Sequence, residues 1–306
     1  MKVYGIDFTS APGHRKPITC ADCTLENGFL HFNDIKYLET FDQFDEFLAS
    51  GTEWIAGMDF PFGQPKKLIE NLGWPLSWEG YVGIIDKMDK QKFENMLKEY
   101  GQQRPEGDKH HFRETDKKAD SRSPMMLVRV PVGKMFFQGA PRLLKSGVSI
   151  LPCHKNGSRK IVVEAYPKLV AKKLISKPQY KNNTNKKQTP QFDARREIMK
   201  KLKSDIIRFH YGFNVELKED LATKIIGDNK GDCLDALLCA IQAGWAHEQR
   251  EHGYGIPEGF ELEGWIVDPE LNDRQLLMHL FPPLISQQHS RALLPLHYYG
   301  RTSLLS

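Results

Sequence analysis

The first sixty residues constrain the fold most. Residues 3–8, 18–24 and 29–38 are β-rich runs separated by the turn signals "APGHRKP" and "ENG". Connections that short favour antiparallel neighbours. "TFDQFDEFLAS" then places Phe41, Phe44, Phe47 and Leu48 at helical spacing, with Thr40 as an N-cap and Gly51 as a stop. Residues 54–59 form a fourth strand, reached by a helical crossover and therefore expected to run parallel to the first. Three strands, a helix and a strand are α/β in character.

Beyond "FPFGQP" the pattern loosens. Residues 72–158 hold several Gly/Pro interruptions, one expected helix near "KQKFENMLKEYG" and the polar stretch "KHHFRETDKKADSRSP". This segment reads as an insertion or lid within a single domain of 306 residues. A fifth strand is expected at 161–165, then a helix over "PKLVAKKLI" with proline in its first turn. "SKPQYKNNTNKKQTPQ" is a polar connector, and a helix is expected over 192–209. "GDCLDALLCAIQAGWAHEQ" is the strongest helix, with Leu234, Leu237, Leu238 and Ile241 on its apolar side; Trp245 and Trp265 are assigned to the core.

Composition limits the setting. The apolar stretch 236–246 is too short to span a bilayer, and Asp7 interrupts any signal-peptide pattern at the amino terminus. Five cysteines suggest reduced thiols and a cytoplasmic location. Net charge is +4, but residues 168–203 carry twelve Lys/Arg against two acids, a local +10 that leaves −6 elsewhere. That asymmetry fits a polyanion-binding face beside an acidic site.

The acids themselves follow a pattern. "YGID" and "AGMD" each place glycine two residues before an aspartate, so Gly5 and Asp7 share one strand face, as do Gly57 and Asp59. A strand glycine often marks the close approach of a ligand or another backbone. "KIVVEAYP" ends a further strand on Glu164. On the long helix Asp232 and Asp235 are spaced i,i+3. Asp232 suits the positive end of the helix dipole, whereas Asp235 lies among leucines, where an unpaired carboxylate is costly. Together these acids point to a divalent-metal site with Asp7, Asp59, Glu164 and Asp235 as ligands and Asp232 beside them. Oxygen-only donors suit Mg²⁺ or Mn²⁺. Two such ions about 3.5–4 Å apart activate water and stabilise the leaving oxygen of a phosphodiester.

"GIDFTSAP", "GMDFPFG", "VEAYPKLVAKKL" and "GDCLDALLCAIQAGWA" resemble the predicted ribonuclease H-like nucleases grouped as domain of unknown function four-two-nine, over residues 3 to about 265. The resemblance implies a five-stranded ribonuclease H-like sheet in order 3-2-1-4-5 with the first three strands antiparallel. It also implies Asp7 on the central strand, Asp59 on the adjacent fourth strand, and Asp232 or Asp235 on the closing helix. "DCLD" is similar to the carboxy-terminal acids of Holliday-junction resolvases. The chain departs from ribonuclease H at the first helix, where only Asp42, Asp45 and Glu46 stand in for a catalytic glutamate. Glu164 has no counterpart in the simplest sites of that kind.

The leading expectation is a metal-dependent nuclease acting on DNA or RNA, with Asp7, Asp59, Glu164, Asp232 and Asp235 as its catalytic acids. Arg113, Arg122, Lys168, Arg195 and Arg196 are the expected phosphate contacts. Two alternatives compete. One is an actin-like phosphotransferase, for which "GIDFTS" suits a phosphate loop but duplicated domains and a glycine-rich adenosine motif are missing. The other is a non-catalytic nucleic-acid-binding module. The Cys20–Cys23 pair and Cys153–His154 are weak zinc signals and read better as buried strand thiols. His110 and His111 read as solvated loop residues.

Overall fold

A computed structural model describes residues 1–177, 179–182 and 189–272. The opening strands are β1 (Lys2–Asp7), β2 (Ile18–Glu26) and β3 (Phe29–Leu38). Each pairs antiparallel with the next. Asn27 and Gly28, with φ of 51° and 77°, make the two-residue turn between β2 and β3; positive φ at both positions is what a tight hairpin turn requires. Helix α1 (Phe41–Ala49), capped by the Thr40 side chain, leads to β4 (Trp54–Met58), which lies parallel to β1.

The expected insertion is mostly helical. Just before it lies α2 (Lys66–Asn71), and it carries α3 (Trp78–Asp86), α4 (Lys90–Gln102), α5 (Glu114–Ala119) and α6 (Val132–Ser146). It ends with β5 (Ser149–Leu151), which joins the sheet. Next come β6 (Lys160–Glu164), α7 (Pro167–Leu174), α8 (Pro190–Leu202), α9 (Ile206–Tyr211), β7 (Asn214–Leu217), α10 (Glu219–Gly227) and α11 (Asp232–Glu248).

Among the described residues the sheet is mixed and has seven strands in the order β5-β6-β4-β1-β2-β3-β7, not the five expected. The two added strands lie at the edges. At three and four residues, β5 and β7 are too short to show a strand period in the sequence. The single helix expected over 192–209 is broken: α8 ends at Leu202 and α9 begins at Ile206.

Side-chain alternation divides the core into two layers. Val3, Ile55 and Val163 face α7, α8, α10 and α11. Ile6, Ala56, Met58 and Val162 face α1, α3, α4 and α6. Trp78, Tyr81, Phe93 and Phe136 from the 72–158 segment are therefore part of this second layer. The sheet is covered on both faces, as its parallel centre requires.

Helix α11 is buried from Asp232 to Ala246 and lies against β1 and β4. Glycine makes that contact possible. A Cβ on Gly5 would stand 1.9 Å from the Ala236 carbonyl oxygen, and one on Gly57 would stand 2.3 Å from that of Cys239. The open space beside the two strand glycines is thus filled by the backbone of α11. Gly5→Ala must push the helix off the sheet, and we expect a loss of about 3 kcal/mol or more in urea denaturation. Gly83→Ala, on α3 with nothing within 4 Å of the new carbon, should instead gain about 0.5–1 kcal/mol from helix propensity. Equal effects at the two glycines would refute the close-packing argument.

Candidate metal centre

Asp7 ends β1, and Asp59 follows β4 with its amide donating to the Ile6 carbonyl at 2.9 Å. The two aspartates thus sit side by side at the ends of adjacent parallel strands. Strand parity turns both toward α11. The close approach at Gly5 and Gly57 then brings Asp235, in the first turn of that helix, onto them. Asp7, Asp59 and Asp235 each offer one oxygen, and these oxygens lie within 4.8 Å of one another. Among the described residues they form the one cluster of metal-type ligands, and Asp7 and Asp235 are buried.

Crowding and burial oppose ionisation. Burial pushes the Asp7 carboxyl up to about 7, resisted by Lys181 and Lys16 and reinforced by Asp235 and Asp232. Asp59 is raised well above the carboxylate range by burial and then by Asp235 and Asp7. Asp235 is also raised by burial, against the pull of Lys181 and Tyr180. Tyr180 Oη donates to one oxygen of Asp235 at 2.5 Å, and Lys181 Nζ is ion-paired with the other. Lys16 Nζ stands 2.6 Å from Asp232 and 3.4 Å from Asp7.

The donor set fits a hard cation. All three ligand groups are carboxylates, and among the described residues no group donates to the side chain of Asp59. Four acids (Asp7, Asp59, Asp232 and Asp235) face two ammonium groups, those of Lys16 and Lys181. A divalent ion that displaced the protons burial favours would be balanced by the two carboxylate charges the lysines leave over. Mg²⁺ or Mn²⁺ would be held at this triad, with Asp7 and Asp59 its less engaged members.

Glu164 stands apart from this triad. Its register partner on β4 is Met58, not Asp59, so parity turns it away from α11. Both its oxygens accept from Arg113, at 2.6 and 2.7 Å, and one also accepts from the Phe62 amide. Arg113 is itself 1% exposed and paired with Asp116 at 2.8 Å. It is a buried structural cation, not a surface phosphate contact. Arg195 is likewise buried, donating to the carbonyls of Tyr180 and Ile226. Arg196 is exposed and lies 3.8 Å from Asp193 on its own helix. Asp232 opens α11 and binds Lys16 instead of joining the triad. Asp42, Asp45 and Glu46 lie on α1, across the sheet from the triad; Asp45 faces Arg142 at 3.6 Å.

Two cavities meet at Asp59. One of about 310 Å³ has Phe60, Val130 and Met135 as apolar walls, with Arg122, Tyr166 and Lys168 also lining it. The second, about 390 Å³, is lined by Tyr166, Lys168, Tyr180, Lys181 and Asp235. Arg122 and Lys168 therefore line cavities that include Asp59, Lys168 while ion-paired with Asp120 at 3.1 Å. Lys186 and Lys187 of the basic segment lie outside the described residues. Sequence reasoning missed Lys16, Tyr180 and Lys181. A lone tyrosine followed by lysine in a polar connector was the only signal for Tyr180 and Lys181, and Lys16 lies in the turn "APGHRKP".

The remaining candidates are structural. The five cysteines are free thiols. Cys20 and Cys23 face opposite layers of the core, and His154 pairs with Glu79. His111 is buried, not solvated, with Nε2 2.7 Å from Tyr100 Oη.

Two outcomes follow from these electrostatics. Asp7 holds its proton more tightly folded than unfolded, so its ionisation erodes stability between its ordinary value of 3.8 and about 7, and the cost is full above that. With chelator present, Asp7→Asn should therefore stabilise the protein at pH 8, on the order of 3 kcal/mol, and the gain should vanish near pH 4. A gain independent of pH in thermal melts would contradict this. Arg113→Ala strands two buried carboxylates and should cost about 3–5 kcal/mol in urea titrations. An unchanged midpoint would return Arg113 to the candidate phosphate contacts.

No curated protein and no solved structure matches the chain. Residues 5–259 match the family described as "Protein of unknown function (DUF429)". That match takes in the strands, the acids and the closing helix described above, and the chain belongs to this family.

Proposed function

We propose that the chain is a metal-dependent hydrolase of phosphodiester bonds in nucleic acid, built on a ribonuclease H-like core. The carrying observation is the convergence of Asp7, Asp59 and Asp235 on one point, where these three acids and Asp232 outnumber the two lysines beside them. Supporting the ribonuclease H-like assignment, β3, β2, β1, β4 and β6 are successive neighbours within the larger sheet, and β1 to β3 are antiparallel. The acids sit on the central strand, on its parallel neighbour and on the helix packed over both. A bound Mg²⁺ or Mn²⁺ would polarise the phosphoryl group and lower the pKa of a water. In the hydrolysis, water adds at phosphorus, the bond to the leaving oxygen breaks and that oxygen takes up a proton. The products are a phosphomonoester and a free hydroxyl.

The charged groups around the acids fit a polyanion. Lys168 and Lys181 belong to the basic segment, and both line the cavity that contains Asp59 and Asp235. Arg122 is exposed on the adjoining wall. These cations would hold and orient the phosphates flanking the reacting one. A cytoplasmic setting, which the five free thiols suit, is part of the same reading; no helix among the described residues is long and apolar enough to cross a membrane.

The test is cleavage of single-stranded, duplex and branched DNA and RNA with Mn²⁺. Activity should vanish with chelator and fall at least about a hundredfold in Asp7→Asn and Asp59→Asn. Cleavage that survives both substitutions would overturn the assignment. Binding should weaken with salt, with a log–log slope of roughly 0.9 per phosphate contacted on duplex DNA. Replacing Arg122 and Lys168 by alanine should lower that slope by about two contacts' worth, whereas Arg196→Ala, at a residue that lines neither cavity, should leave it unchanged.

A further inference from the structure

Asp235 is occupied by the chain itself. One oxygen accepts from Tyr180 Oη and the other pairs with Lys181 Nζ. Asp7 is less engaged, with Lys16 at 3.4 Å, and Asp59 takes no donor from the described residues. The ligands free to receive a divalent ion are thus Asp7 and Asp59, with an ammonium group already on the third acid.

The position of Lys181 is fixed by its neighbours. The preceding Tyr180 is 5% exposed and packs in the core beside α11. Its carbonyl accepts from Arg195 Nη1 at 2.6 Å, and Arg195 is itself buried and tied to Ile226. A Cβ on Gly231 would lie 3.0 Å from Lys181 Cγ and 3.2 Å from the Tyr180 ring, so the turn before α11 closes over both residues. Charge leads to the same place. With Lys16 and Lys181 counted, one divalent ion suffices to balance the four carboxylates, and a second would leave an excess of two positive charges at the site.

We propose that Lys181 is the second cation of the site, so that the centre takes a single divalent ion on Asp7 and Asp59. This rests on the phosphodiesterase reading above and specifies it. The ammonium of Lys181 lines the same cavity as Asp59 and Lys168, where it would meet an oxygen of the phosphate being cleaved. Tyr180 and Arg195 are positioning residues for it.

Mn²⁺ titration of the full chain without nucleic acid tests this, by calorimetry and by electron paramagnetic resonance of the free ion. The wild type should bind one Mn²⁺ per chain. Lys181→Met, which keeps the stem and removes the charge, should bind a second ion or hold the first at least tenfold tighter, while Lys181→Arg should keep the single-ion stoichiometry. Circular dichroism verifies that each variant is folded. Two ions on the wild type, or identical isotherms for wild type and Lys181→Met, would overturn the inference and leave the metal centre standing. No Mn²⁺ bound by any of the three would remove both.

Discussion

The contact between the backbone of α11 and the faces of β1 and β4 is the constraint on which the rest depends. Helices usually stand off a sheet by the length of their side chains. At Gly5 and Gly57 that spacing is lost, because no carbon lies between strand and helix, and Ala236 and Ala240 complete a contact of small residues. The approach carries Asp235 down onto the strand ends, where a helix set a side chain's length further out would leave it short of Asp7 and Asp59. The same contact stacks the leucines of α11 into the core, so packing energy and site geometry come from one interface.

The parts of this arrangement that the sequence revealed are those governed by local periodicity. Asp7 and Asp59 were legible because each follows a strand glycine by two residues, and Asp235 because it interrupts a leucine-rich helix face. Glu164 failed for a reason a single strand cannot disclose. Its facing depends on register with β4, and the register places it beside Met58. Had β6 slipped by one residue, its acid would have joined Asp59. The arginines failed differently. "KHHFRETDKKADSRSP" is polar throughout, and nothing local separates Arg113, which is buried beneath the segment, from Arg122 on its surface. Edge strands β5 and β7 escaped because three or four residues carry no period.

Two groups of buried acids flank the cavity walls, and they are neutralised in opposite ways. Glu164 and Asp116 share a guanidinium that makes hydrogen bonds to both, and Glu164 accepts a backbone amide as well. Nearly every oxygen there has a geometrically directed donor, which is what a structural ion pair needs to persist away from water. At the triad the cations are lysines, which bring point charges on long stems and satisfy fewer oxygens. Asp59 is left with no donor at all among the described residues. The first cluster is chemically complete, whereas the second has a remaining acceptor and remaining charge, directed into a cavity with basic walls. This difference, more than the number of acids, separates a structural network from a candidate reaction centre.

The triad also cannot relax. Carboxylates on exposed loops relieve repulsion by moving apart, but here two are held by adjacent hydrogen-bonded strands and the third by a helix in backbone contact with them. Separating them would lift α11 and expose the largest part of the core. Repulsion must therefore be met by adding positive charge, and the structure offers protons, lysines and a bound ion as the sources. Burial lets protons serve at all three acids, on Asp7 up to about 7. The lysines supply two charges for four acids. Once those protons are displaced, the remaining deficit has the size and the oxygen-only surroundings of a single divalent cation, so the packing that fixes the fold also creates the place for the ion.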